Sequence, residues 1–298
     1  MKKSTLLAIL LVSGMQGLSA QSLEPRLYSN VPTDLNFLVA GYVYSQGALP
    51  GNSVLIDPNL QINSAIFAYA KGLNVMGKSA KVNLVIPSAC INGSALYKGS
   101  LAKREVCGVG DIKVGFSLNF FGAPATSLKD FANYTQDTII GVSLQTTLPT
   151  GRYDEEKLVN ISANRWAAKL GFGVSKKISN FLIEFAVDAE YFTPNNEFLG
   201  KKRQQDIIYA TQMHLLYTLP RGIWFGLNAN YYTGGENTQE NKKLDDALNN
   251  ARYGATLAFP LSKHHSLKIL GSSGIFTRAG TNFDSLGVFW QYRFMDGF

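Results

Sequence analysis

Residues 110–121 read Gly-Asp-Ile-Lys-Val-Gly-Phe-Ser-Leu-Asn-Phe-Phe. Ile112, Val114, Phe116, Leu118 and Phe120 share one face, while Lys113, Gly115, Ser117 and Asn119 share the other. A period of two belongs to an extended strand, whose successive side chains point to opposite sides. The pattern recurs over 140–148, 166–174, 181–191, 223–231, 253–261 and 286–294. Together the seven apolar faces hold 36 positions, none of them charged. Contact with hydrocarbon accounts for that purity, because an Arg or Lys facing lipid at mid-bilayer costs about 2–4 kcal/mol.

Soluble β-sandwiches alternate as well, so three further features are needed to separate the two architectures. These strands run to ten residues or more, near the length that crosses a bilayer with tilt, where an ordinary strand has about 5–6. The second face is rich in Gly and Ser, which suits a curved wall around a lumen. Connections also alternate between short and long. Strands are expected near 35–44, 62–76, 79–87, 109–121, 138–148, 165–176, 180–192, 206–219, 222–232, 252–261, 265–277 and 284–294. Turns after even strands are mostly short, and stretches after odd strands are long, at 45–61, 88–108, 149–164, 193–205 and 233–251. Short periplasmic turns, long outer loops and an even strand count describe an all-β, closed, antiparallel, up-and-down transmembrane β-barrel with twelve strands. The segment 122–137 departs from this rhythm as a longer inner connection with helical character around 127–134.

That order places Tyr42, Trp166, Tyr191, Tyr209, Tyr231 and Tyr253 at outer strand ends, and Phe120, Phe181, Tyr217, Tyr292 and Phe294 at inner ends. Aromatic rings prefer the headgroup level, so two girdles are expected. The last strand leads to a terminal Phe298, with Asp296 breaking the alternation. Such an aromatic end is what barrel assembly machinery would engage.

Outward from the strands, the chain opens with Lys2 and Lys3, an apolar run over 6–15, and the small residues Gly17, Ser19 and Ala20. These are the parts of a secretory signal peptide over 1–20, too short for a spanning helix. The expected organisation is then a signal peptide (1–20), a periplasmic N-terminal segment (21–34) and the barrel (35–298). Loss of Lys2 and Lys3 lowers the formal net charge from +7 to +5, and no basic block points to nucleic acid. Cys90 and Cys107, in a polar stretch of an exported chain, are expected to form one disulfide in the outer loop between the third and fourth strands. With no His or third Cys beside them, neither a metal nor a cofactor is expected.

Eight stretches resemble the family of barrel proteins named for the MetA pathway of phenol degradation. They are LEPRLYSNVPTDLNFLVAGY at 23–42, GVGD at 108–111, LQTTLPTGRYD at 144–154, NISANRW at 160–166, FLGKKRQQD at 198–206, LNANYYTGG at 227–235, NNARYGATLAFPLSKHHSLK at 249–268 and FDSLGVFWQYRF at 283–294. The resemblance covers most of the chain and implies an outer-membrane transporter in a Gram-negative bacterium, with hydrophobic or aromatic solutes as candidates.

Candidate chemistry lies on the inward face. Glu184, Asp188 and Glu190 share a strand with Phe192 beyond them, and Arg252, Lys268 and Arg293 point inward from the last three strands. Opposed charges across a pore would orient a polar solute. The competing reading is local pairing, with inward Lys169 neutralising Asp188 across a hairpin. Inward Trp224, Tyr232 and Phe192 could stack on a ring or plug the lumen. A barrel-embedded hydrolase would need a Ser–His pair near a rim. His214 falls on the inward face, His264 and His265 fall in an inner turn, and no GxSxG element occurs. The expectation is therefore a narrow passive channel for small solutes with outer-membrane lipid as its surroundings. The alternative is a structural or surface-interaction barrel with a filled lumen.

Overall fold

The computed structural model describes residues 25–48, 55–97, 100–279 and 282–295. The expected signal peptide, the start of the N-terminal segment and the terminal Asp296 to Phe298 lie outside them. Twelve long strands form the wall: β1 (Leu35–Ala48), β2 (Leu55–Val75), β3 (Lys78–Tyr97), β4 (Ser100–Val109, resuming as Lys113–Phe121), β5 (Thr138–Thr147) and β6 (Ala167–Ile178). They continue as β7 (Phe181–Phe192), β8 (Ile208–Thr218), β9 (Trp224–Gly234), β10 (Leu248–Pro260), β11 (His265–Thr277) and β12 (Asn282–Met295). Each pairs antiparallel with its sequence neighbours, and β1 pairs with β12 from Leu35↔Met295 to Ala48↔Asn282. The sheet closes on itself, so the wall has no free edge and every strand backbone can be satisfied inside it. No helix among the described residues is long and apolar enough to cross a membrane; the strands do the crossing.

The two faces sort as the alternation requires. Phe116, Leu144, Leu170, Phe185, Leu227, Leu257 and Val288 are exposed on the outside. Lys113, Ser117, Asn119, Lys169, Glu184 and Asn228, on the opposite face, are buried. Tyr42, Trp166, Tyr191, Tyr209, Tyr231 and Tyr253 ring the outer end at 41–55 % exposure. At the inner end Phe181 meets Tyr217 at 4.8 Å, and Tyr292 stacks on Trp290 and Phe294. A closed barrel with an uncharged apolar belt between two aromatic girdles is an outer-membrane β-barrel. It should sediment with outer-membrane fractions and migrate faster on gels unheated than boiled; recovery as a soluble periplasmic protein would contradict the wall described here.

Two expected loops are largely strand. Most of 45–61 and 88–108 continues β1, β2, β3 and β4 beyond the lipid-facing band. Inward Leu60, Ile62, Ile91, Val106 and Phe283 there form a buried cluster with Ile161 of the 148–166 loop. That burial rewards ordered backbone where the outward residues, such as Asn63, Asn92 and Ser94, have turned polar. The disulfide forms as expected, but its setting is corrected: Cys90 and Cys107 are direct cross-strand partners in β3 and β4 rather than loop residues. Closing so short a span contributes about 3 kcal/mol in the chain-entropy account, and the pair sits on the exposed outer side of strands already in register. A double Cys→Ser variant should therefore still show heat-modifiable migration, with only the 88–109 hairpin becoming more sensitive to protease. Loss of the barrel would show that the bond organises the whole sheet.

The misfit at 122–137 also has a structural reason. A single helical turn, Leu128–Phe131, is capped by Ser127, whose Oγ accepts from the Asp130 amide at 3.2 Å. Ala123 is buried with Tyr28, Leu27, Ile139 and Ala186, so the connection turns into the barrel mouth instead of making a tight hairpin.

Candidate functional site

The lumen lining divides into two halves. On β1, β2, β3 and β12 the inward side chains Val39, Val43, Ile66, Ala68, Val85 and Phe289 form one apolar cluster, with Leu270 of β11 against it. On β7 to β10 the inward face carries an apolar cluster of Leu182, Leu216, Trp224 and Ala258 at the inner end, and beyond it a run of linked polar side chains. Gln212 Nε2 donates to Asp188 Oδ2 at 2.8 Å. His214 Nδ1 lies 2.8 Å from Asn228 Oδ1; because that oxygen carries no proton, the Nδ1–H is the donor. Asn228 Nδ2 donates to Thr256 Oγ1 at 3.1 Å, and Asn230 Nδ2 donates to the Tyr232 hydroxyl at 2.6 Å. Alternation places these groups at every second residue, and the β8–β9 register sets His214 opposite Asn228. Such linkage is what keeps buried polar groups affordable in a wall of low polarity.

Residues 25–34, expected to form a periplasmic segment, lie inside the inner end of the barrel. The Arg26 amide donates to Glu184 Oε2 at 2.5 Å, and Glu184 Oε1 accepts from Ser175 Oγ at 3.0 Å. The Arg26 guanidinium stacks over the Trp224 ring at 4.6 Å. Lys81 Nζ donates to the carbonyls of Leu27 and Ser29. The Tyr28 hydroxyl pairs with Ser143 Oγ at 3.1 Å. The Tyr28 ring rests on glycines of β5 and β6: a Cβ at Gly141 would come within 2.6 Å of Cδ1, and one at Gly173 would overlap the ring edge. Below, Thr33 N donates to Thr126 O at 2.9 Å and Asn30 Nδ2 to Pro124 O at 3.2 Å, so the 122–137 connection clasps the segment.

The outer end is covered from above by the 148–166 loop. Asp111, buried at the interruption in β4, accepts from Gly151 N at 3.0 Å, Ser162 Oγ at 2.6 Å and Ala163 N at 3.0 Å. Arg104 Nε donates to Val159 O at 3.1 Å. Arg165 lies over the Phe192 ring at 4.4 Å. Burial, with nearby Arg203, pushes its guanidinium down to about 10, against the pull of Glu190 and Asp111. Outside this cover, Asn195–Phe198, Lys201–Gln205, Asn237–Gln239 and Lys242–Lys243 pair into a small four-stranded sheet. Its ion pairs, Lys201–Glu240 and Lys243–Glu236, are exposed.

The residues singled out in the sequence thus divide. Glu184, Asp188, Glu190, Lys169, Arg252, Lys268, Trp224 and Tyr232 are all buried in the interior. The hairpin register sets Lys169 directly opposite Glu190, with Asp188, opposite Gly171, on the diagonal. Arg252 donates to Phe283 O at 2.5 Å, and Lys268 Nζ sits over the Phe289 ring. Arg293 donates to the Lys263 carbonyl at 2.5 Å at the inner rim. Trp224 and Phe192, expected as stacking surfaces for a solute, each carry an arginine of this chain on one face. Sequence reasoning missed Tyr28, Arg26, Lys81 and Asp111. The available signal was the set of inward glycines at 141, 171 and 173, which leaves a seat with no partner inside the strands themselves.

A twelve-stranded outer-membrane barrel with a structured lumen is the class that this fold and site define. The profile of the family described as putative MetA-pathway of phenol degradation matches residues 45–294, and the chain belongs to that family. No curated protein sequence matches it. The fold is similar to that of the COG4313 outer membrane channel from Pseudomonas putida F1, with TM-score 0.78 at 20 % identity, over 91 % of this chain and 100 % of that one. It is also similar to the transport unit of the autotransporter AIDA-I from Escherichia coli, with TM-score 0.52 at 12 % identity, over 89 % and 92 %. At these identities the likeness establishes a shared architecture.

Proposed function

We propose that this protein is an outer-membrane channel for passive uptake of small solutes, with hydrophobic or aromatic molecules that carry a polar group as its substrates, and that it is not an enzyme. The divided lumen carries this reading. An apolar wall of Val39, Val43, Ile66, Val85 and Phe289 on one side and a linked polar wall of Asp188, Gln212, His214, Asn228 and Thr256 on the other would hold a ring by one face and a hydroxyl by the other. Ligand sites are mostly apolar surfaces with a few placed polar groups. The family's phenol-degradation name agrees with that chemistry. A twelve-stranded barrel has a narrower bore than the 16–18-stranded porins, so selectivity by size accompanies selectivity by lining.

A liposome-swelling assay with the purified protein tests the reading. Phenol-sized aromatic alcohols should enter faster than sugars of similar mass, relative to protein-free vesicles. Equal permeation of both would refute the preference, and no permeation would refute the channel. The second reading, a structural or surface-interaction barrel, has one observation in its favour: the chain's own residues occupy both ends of the lumen. Under it, neither solute would pass.

A further inference from the structure

We propose that Lys268, seated over the Phe289 ring, is an anion-binding step in the lumen, and that the solutes passing it are aromatic monocarboxylates. The inference rests on the channel reading and narrows its solute class. Its first support is a charge without a counter-charge. Lys268 points inward from β11 and is 6 % exposed. Across the sheet it faces Ala258 of β10 and Phe289 of β12, with Thr256, Pro260, Gly287 and Gln291 on the diagonals. None of these carries a charge. Among the described residues its Nζ meets the Phe289 ring, 4.7 Å from the centroid, and no carboxylate pairs with it. On the same row, beyond Ala258, Trp224 carries a second cation, Arg26. A ring face compensates an ammonium only in part, and a buried charge is ordinarily paired. An ionisable side chain kept within a membrane span without an internal partner points to a partner that arrives from outside.

The second support is the asymmetry of the lumen. The acids of β7 already have partners: Glu184 accepts from Arg26 N and Ser175 Oγ, Asp188 accepts from Gln212, and Glu190 stands directly across from Lys169. The inward positions of β10, β11 and β12 hold Arg252, Lys268 and Arg293 and no acid, while Asp284, the single acid on those strands, is exposed on the outer face. The field that remains in the lumen is therefore positive and favours anions. The third support is the wall beside Lys268. Phe289 lies down against Gly41, where a Cβ would overlap its ring, and joins Val39, Val43 and Ile66 in one apolar surface. Leu270, on the same face of β11 as Lys268, packs against that surface. An aromatic carboxylate can lay its ring there while its charge reaches the ammonium. A neutral alcohol would leave the ammonium uncompensated, and a small aliphatic acid would leave the apolar surface uncovered.

The test uses the processed chain refolded in detergent and inserted into planar bilayers, with heat-modifiable migration as the check of folding. Potassium chloride on one side is set against potassium benzoate or potassium acetate on the other, so the reversal potential reads the anions. The unaltered chain should prefer benzoate severalfold over both acetate and chloride. Lys268→Met, which keeps the reach of the side chain and removes its charge, should lose most of that preference, and Lys268→Arg should keep it. Phe289→Leu should bring benzoate down towards acetate. The folded gel band separates this role from a structural one: with no internal partner to lose, Lys268→Met should keep its band to the same temperature as the unaltered chain or higher. A marked fall, or failure of both Lys268→Met and Lys268→Gln to fold, overturns the proposal by revealing a partner within the protein. Conduction without a benzoate preference, or with one that Lys268→Met retains, overturns it and leaves the channel standing. A benzoate-to-acetate ratio unchanged in Phe289→Leu overturns the aromatic class. If benzoate does not pass while aromatic alcohols still enter liposomes, the anion step falls alone. If neither passes, the channel reading falls and this inference with it.

Discussion

Replacing Glu184 with Gln and Asp188 with Asn is expected to weaken the barrel, by several kcal/mol in the combined variant. Both carboxylates are buried and engaged. Glu184 accepts from Arg26 N and Ser175 Oγ and lies within Coulombic reach of Lys81 and Arg26. Asp188 accepts from Gln212. Removing one charge from such an arrangement leaves cations without their counter-charge in a poorly hydrated place, and breaking a buried pair costs about 3–5 kcal/mol. The alternative, hydrated lumen charges, predicts almost no loss, because exposed pairs contribute about 0–1 kcal/mol. The temperature at which the folded gel band disappears is the measurement. A marked fall is expected, together with a shift of reversal potential towards anions in bilayers. An unchanged transition would mean that these carboxylates are bathed in water.

Asp111→Ala is expected to release most of the 148–166 loop from the outer mouth while the wall stays closed. The carboxylate accepts from two backbone amides and one hydroxyl of that loop, and it is buried. Hydrogen bonds to a charged group contribute about 1.5–3 kcal/mol each, so losing three is expected to free the 153–164 part of the loop, while the Arg152 bonds to Val109 and Cys107 still hold its start. Limited proteolysis should then cut within 148–166 in the variant and not in the unaltered protein, with heat-modifiable migration preserved. Asp111→Asn should lie between the two, because its amide oxygen still accepts. Protection of the loop in Asp111→Ala would assign the cover to the apolar cluster around Ile161 instead.

Much of this molecule was legible from alternation alone, because a lipid-facing wall tolerates no charge and must repeat its pattern strand by strand. The seven faces read around Phe116, Leu144, Leu170, Phe185, Leu227, Leu257 and Val288 needed no tertiary information, since each strand carries its own inside and outside. Strand extensions beyond the membrane were less legible. Around Cys90 and Cys107 the outward residues become polar, the contrast between faces fades, and only the packing of Ile91 and Val106 against Ile161 restores it. Alternation put Lys169, Glu184, Asp188 and Glu190 on the face that is buried, but which carboxylate stands directly across from Lys169 depends on the hairpin register, which sets Glu190 there and Asp188 on the diagonal.

By itself, then, the order of residues determined the outer-membrane barrel, its strand number, its aromatic girdles and its disulfide, all of which follow from local period and composition. Only the tertiary structure decided what occupies the lumen. Tyr28 precedes the glycines it rests on by more than a hundred residues, and Arg26 is farther still from Glu184 and Trp224. A closed sheet brings such positions together by its circumference, and no periodicity along the chain records which inward gap a distant segment will fill.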